Sequence, residues 1–192
     1  MIQSKKDLKE WLKYENKKYN IKWGGVKRLL GSEKAVIWSW QKRLRKTEYY
    51  YNTNKKIRFN ISKAILNHKS NKYGLHVGLN VFGRGLHIMH LGSILTNGRV
   101  RVGEDCAVHI NTALVAQGVS NEVPKLGNHI VIGTGATILG DIWIADGIAI
   151  GANALVNKSF YEENIAVAGV PAKKISNNGA LSWNKKKGKD VH

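Results

Sequence analysis

Seven histidines and a single cysteine are the side chains of this 192-residue sequence whose chemistry lies nearest to neutral pH. An imidazole can move a proton or ligate a metal. Two of the seven, His87 and His90, share one short segment, Gly85-Leu86-His87-Ile88-Met89-His90, and His109 follows further along. A zinc centre would need three converging ligands, and no histidine pair here has a suitable spacing together with a third partner, so no metal is expected. Cys106 has no second thiol, which excludes an internal disulfide and a metal knuckle, and it reads as a small core side chain in a reducing compartment. His68, His76, His87, His129 and His192 read as surface, turn or substrate-side residues. His90 and His109 are left undecided on residue type alone, since any imidazole near neutral pH could move a proton.

The elements that must position them come in two kinds. From about residue 80 the apolar pattern has a strict period of six. Every sixth residue from Val102 gives Val108, Leu114, Ser120, Leu126, Ile132, Ile138, Ile144, Ile150 and Val156, nine of the ten being aliphatic. Ser120 lies in a polar stretch, Gln117 to Glu122, that reads as a loop. Upstream, Phe82, Ile88, Ile94 and Val100 keep the period in a frame offset by two, which predicts a bulge near Arg99 to Val102. A helix of period 3.6 would smear these positions around its circumference. A hexapeptide that forms one short strand and a turn, three to a triangular coil, stacks each aliphatic on the coil below. At eighteen residues per coil, Phe82 to Val156 makes about four coils.

The first seventy residues instead show helical spacing. One helix carries Leu8, Trp11 and Leu12 on a face, opening at Ser4 with Asp7 three residues on; a second runs from Glu33, after Ser32, through Val36, Ile37, Trp40 and Leu44; a third covers Ile57 to Leu66. Gly24, Gly25 and Gly31 punctuate them. The expected organisation is a basic α-helical domain over 1–74, a left-handed parallel β-helix over 75–170, and a C-terminal cap and basic tail over 171–192. Helices and cap are each expected to close one open end of the prism.

The net charge of +18 divides unevenly, with +15 in residues 1–74, −2 in 75–166 and +5 in 167–192. Charge clustered on amphipathic helices is usually a solvated face, and these helices carry no nucleic-acid recognition motif. The tail lysines Lys185 to Lys187 and Lys189 read as a solvated end. The most apolar stretch, Ile138 to Val156, is broken by Asp141 and Asp146, and Met1 is followed by a lysine-rich polar segment, so neither a membrane span nor a signal core is expected. A cytoplasmic protein is the expectation.

Over about residues 75 to 175 the sequence resembles the hexapeptide-repeat acyltransferases, and within them the serine acetyltransferase-like branch. The resemblance is carried by Gly85 to His90, by Ile132-Gly133-Thr134-Gly135-Ala136-Thr137-Ile138-Leu139-Gly140-Asp141-Ile142, by Ile150-Gly151-Ala152-Asn153-Ala154-Leu155-Val156, and by Ala168-Gly169-Val170-Pro171-Ala172-Lys173-Lys174-Ile175. It implies a homotrimer with sites between neighbouring prisms, acetyl-CoA as donor, and His90 as general base toward an acceptor hydroxyl. It further implies that Ala116, Thr134, Gly135 and Ala152 line the groove for coenzyme A and that Lys173 and Lys174 meet its phosphates, with Lys158 a weaker candidate. The family's serine enzymes place aspartates fifteen residues before the histidine and directly before it; here Leu75 and Met89 stand there. Their substrate-contacting histidine is replaced by Val123, ahead of Pro124-Lys125. These departures point to a carbohydrate acceptor, as in capsule and surface-glycan O-acetyltransferases, with serine as the alternative.

Overall fold

A computed structural model describes residues 1–21, 26, 29–118 and 121–182; Gly24, Gly25, Ser120, His192 and the tail lysines lie outside the described residues. The helices are α1 (Lys5–Tyr19), α2 (Glu33–Asn52) and α3 (Lys56–Tyr73). Helix α1 starts in a capping box, with the Asp7 N–H donating to Ser4 Oγ and the Ser4 N–H to Asp7 Oδ2, both at 3.0 Å. The second and third helices run further than their apolar spacing predicts, to Asn52 and Tyr73. The Ser32 side chain makes no cap hydrogen bond.

Three parallel faces follow. The first is built from β1 (Leu75–His76), β3 (Ile94–Thr96), β6 (Thr112–Val115), β9 (Thr137–Leu139) and β12 (Leu155–Val156). The second has β4 (Arg101–Val102), β7 (Lys125–Leu126) and β10 (Trp143–Ile144). The third has β2 (His87–Ile88), β5 (Ala107–Val108), β8 (Val131–Ile132), β11 (Ala149–Ile150) and β13 (Ala166–Gly169), on which β14 (Ala172–Ser176) folds back antiparallel. The chain is a left-handed parallel β-helix preceded by a helical region. The period-six aliphatics stack in its interior: Ile88, Val108, Ile132, Ile150 and Val167 form one ladder, all at most 2 % exposed. Between strands the chain turns in the left-handed region at Asn80, Asp105, Asn111, His129, Asn153 and Asn164, mostly the short polar types that tolerate it.

Coil length departs from eighteen in two places, each informative. Val108 pairs with Ile132, Val102 with Leu126 and Leu114 with Ile138, twenty-four residues apart in every case. The six extra residues fall between the end of β6 and the start of β7, in the polar stretch read as a loop. Ile88 pairs with Val108, twenty residues on, whereas Thr96 pairs with Leu114, eighteen on. The two extra residues therefore lie between Ile88 and Thr96, not near Arg99 to Val102. The Met89 N–H bonds Val108 O and the Asn111 N–H bonds Ser93 O, which puts the insertion at His90 to Gly92.

The helices close the N-terminal end of the prism, a placement spacing could not supply. A first coil has no neighbour for its backbone groups, and buried polar groups without partners are costly. Side chains of α1 and α2 provide the partners. Arg45, with a fully buried side chain, donates to Phe82 O at 3.0 Å and Gly83 O at 2.7 Å while pairing with Glu15 and Glu48 at 2.7 and 2.9 Å. Glu15 accepts from the Gly85 N–H, Glu48 from the Asn80 N–H, and the Tyr19 hydroxyl from the Ile88 N–H; Gln41 donates to Leu86 O. At the far end, β14 and the segment up to Ser182 cover the last coil, with the Ala180 N–H bonding Gly147 O.

Candidate active site at the His90 corner

The corner that leads from the third face to the first stacks four turns above one another. The N–H groups of Met89, His109, Gly133 and Gly151 bond Val108 O, Ile132 O, Ile150 O and Val167 O at 2.8 to 3.0 Å, fixing the register. A second row of bonds, Gly135 N–H to Ile110 O and Asn153 N–H to Thr134 O, places Thr134 over Ile110 and Ala152 over Thr134. Thr134 and Ala152 stack in one column over Ile110, His109 lies in the adjacent column under Gly133 and Gly151, and His90 lies in the turn beneath, so the four border one corner of the prism, one per coil. With coils about 4.8 Å apart, the edge from His90 to Ala152 is about 14 Å long. Lys173 continues it, since β14 sets Lys173 beside Ala168, the next residue in the column after Gly151.

His90 stands out from this edge because its turn is two residues longer than the one above. Its side chain is 59 % exposed, and Nδ1 lies 3.3 Å from Glu33 Oε2 on the first residue of α2. The other carboxylate oxygen of Glu33 accepts the Leu91 N–H at 2.8 Å. The His109 ring centre is 6.5 Å from that of His90. His87 packs edge-on against Tyr19 in the interface with α1, and His129 occupies a left-handed turn.

The remaining predicted residues divide. Thr134 and Ala152 are exposed along the edge. Gly135 has φ +74°, and a Cβ there would sit 2.1 Å from Asn153 Oδ1, so the coil itself requires glycine. Ala116 lies at the opposite border of the first face, just past β6, where the Gly140 N–H bonds the preceding Val115 O. Lys174 is engaged at 2.5 Å by Glu162, Lys158 lies over the Phe160 ring, and Lys173 is exposed. Cys106 is 1 % exposed, and burial pushes its thiol up to about 12, as expected of an inert core side chain.

Leu75 and Val123 are turned into the core at 0 % and 5 % exposure, and Met89 is half-buried. Sequence reasoning missed Glu33, which it took as part of a helix start; nothing in spacing links it to a residue fifty-seven positions away. Two surface concavities lie elsewhere, at the α2–α3 turn, one of about 330 Å³ lined by Tyr50, Tyr51, Asn54, Lys55, Lys56, Phe59 and Asn60. Neither includes a residue of the His90 edge. Among the described residues no group of three His, Cys, Asp or Glu could hold a metal ion, and no helix is long and apolar enough to cross a membrane.

The class defined by this architecture is the hexapeptide left-handed β-helix with an N-terminal helical region, and the similar proteins named next are serine acetyltransferases. No family model matches the chain. The serine acetyltransferase of Helicobacter pylori strain J99 is 35 % identical over 104 residues, covering 53 % of this chain and 60 % of that protein. That of Buchnera aphidicola subsp. Acyrthosiphon pisum is 30 % identical over 134 residues, 68 % of this chain and 47 % of its own length. The chain thus spans about three fifths or less of these curated relatives. Among solved structures, serine acetyltransferase from Brucella abortus strain S19 superposes with a TM-score of 0.71 at 21 % identity, covering 92 % of this chain and 72 % of that one. The same organism's enzyme in complex with coenzyme A gives 0.62 at 26 % identity, covering 74 % and 57 %.

Proposed function

We propose that the protein transfers an acetyl group from acetyl-CoA to a hydroxyl, with His90 as general base, and that the acceptor is serine or a compact hydroxyl compound like it. The observation that carries the reading is the placement of an exposed imidazole at one end of an edge that continues through Thr134 and Ala152 to Lys173. A flexible thioester arm needs a strip of small residues with its charged end at a cation, and its reactive end must reach a base. The similar serine acetyltransferases, one of them solved with coenzyme A, support donor and acceptor alike.

In this reading His90 Nε2 takes the proton of the acceptor hydroxyl as its oxygen attacks the thioester carbonyl carbon. The resulting oxyanion collapses, the carbon–sulfur bond breaks, and the imidazolium returns the proton to the departing thiolate. Water must be kept away while this happens, yet His90 sits on a convex corner of a single chain. A neighbouring prism supplying the second wall answers that need, which supports the homotrimer implied by the resemblance, in a cytoplasmic setting.

Replacing His90 with alanine should lower acetyl transfer by about 10²- to 10⁴-fold, read as free thiol released from acetyl-CoA, with coenzyme A still binding by calorimetry. Full turnover in that variant would remove His90 from the mechanism. A second reading keeps the donor and changes the acceptor to a carbohydrate hydroxyl. It is favoured by the inward-turned Leu75 and Val123, which present no polar group to an amino acid. Turnover of a glycan panel with none on serine would establish it, and turnover on serine alone would end it.

A further inference from the structure

We propose that Glu33 is the positioning residue for His90, so that the helical end-plate completes the reaction centre as well as covering the prism. The inference rests on the acetyl-transfer reading and adds to it the group that sets the state of the base.

A general base of this kind must offer Nε2 with its lone pair free, which requires the ring proton on Nδ1. Something has to hold that proton there. Leu75 is fully buried with a hydrocarbon side chain, and the Met89 side chain has no oxygen, so neither side chain at the positions before His90 can do so. The Glu33 carboxylate can, because Oε2 lies 3.3 Å from Nδ1, within reach of a hydrogen bond.

A half-exposed ion pair between two free side chains would contribute little. This carboxylate is not free. Its Oε1 is fixed by the Leu91 N–H at 2.8 Å, so the two oxygens grip consecutive residues of one turn. Glu33 is also the first residue of the twenty-residue helix α2, where the helix dipole favours a negative charge. The turn it grips is the lengthened one, His90 to Gly92. Without the two extra residues, His90 would stay at the level of the edge, as His109 does one coil above. The insertion and the glutamate therefore belong to one arrangement, in which the turn reaches out and the helix receives it.

The test uses the full chain with Glu33→Ala and Glu33→Gln, each compared with the parent for folding by thermal melting. Nitrogen-15 NMR of the histidine rings reports the His90 tautomer directly, independently of activity. The parent should show the Nδ1–H form; Glu33→Ala should shift it toward the Nε2–H form common in free imidazole, while Glu33→Gln, whose amide oxygen can still accept, should keep it. In steady-state assays kcat should fall about 10²-fold in Glu33→Ala and less in Glu33→Gln, with KM for acetyl-CoA unchanged. An unchanged tautomer and kcat in Glu33→Ala would overturn the proposal. Absence of acetyl transfer by the parent would instead sink the acetyl-transfer reading, and the tautomer measurement would still decide whether Glu33 positions the ring.

Discussion

At Gly92 the lengthened turn lies so close to the coil above that a methyl group would sit 2.7 Å from Ile110 Cγ2. Glycine is required there to let the turn pass, and Gly92→Ala should displace His90 from Glu33. The expected result is a loss of kcat of about tenfold or more with little change in melting temperature, since a misplacement near 1 Å can cost as much as 10²-fold. At Cys106 the prediction is inertness. With its thiol pushed up to about 12 by burial, it should resist alkylation at pH 8 in the native protein and react promptly in urea. His90 was legible because it belongs to a contiguous motif. Glu33 was not, because its function depends on a contact between two elements that no local spacing encodes, and Gly135 was legible as a small residue whose size the coil alone explains.

Between the elements, the contact that matters most is that of the helices with the first coil. Arg45 sits between two glutamates and donates to two carbonyls, all of it out of water. Arg45→Met should destabilise the protein by about 3–5 kcal/mol, the cost typical of leaving a buried charge unpaired, measured by urea denaturation. Lys18→Met, which removes a partly exposed pair with Asp105, should cost under about 1 kcal/mol. The prism itself was legible because six is a period no other element uses. Its excursion between β6 and β7 was legible as the polar stretch Gln117 to Glu122, although it is one repeat long and leaves the phase intact. The insertion at His90 was misplaced for the opposite reason. Ile94 and Thr96 are both buried on β3, and the aliphatic one held the apparent frame although Thr96 is the residue in register with Leu114.

Across the whole molecule the basic charge is unevenly spread, with +15 on the helical region and near neutrality on the prism. Two prism carboxylates tie stability to pH. Burial alone would raise Asp105, but Lys18 and the Tyr14 hydroxyl outweigh it and hold the carboxyl below its ordinary value; Asn128 does the same for Asp146 by side-chain and backbone hydrogen bonds. Because these folded values lie below the unfolded ones, their stabilisation is complete above about pH 4 and is lost as pH falls through the folded values. Asp146→Asn should flatten that acid limb in melts recorded from pH 6 to pH 2. The end-plate has one more consequence. A coil whose upper edge is bare is a template for the lower edge of another, so nothing in a six-residue repeat tells it where to begin. The glutamates, arginine and tyrosine of α1 and α2 occupy that edge with bonds that another prism would otherwise make. They make a self-extending pattern finite, and the Arg45→Met protein at low urea should begin to string end to end, visible as rising light scattering before its helices are lost.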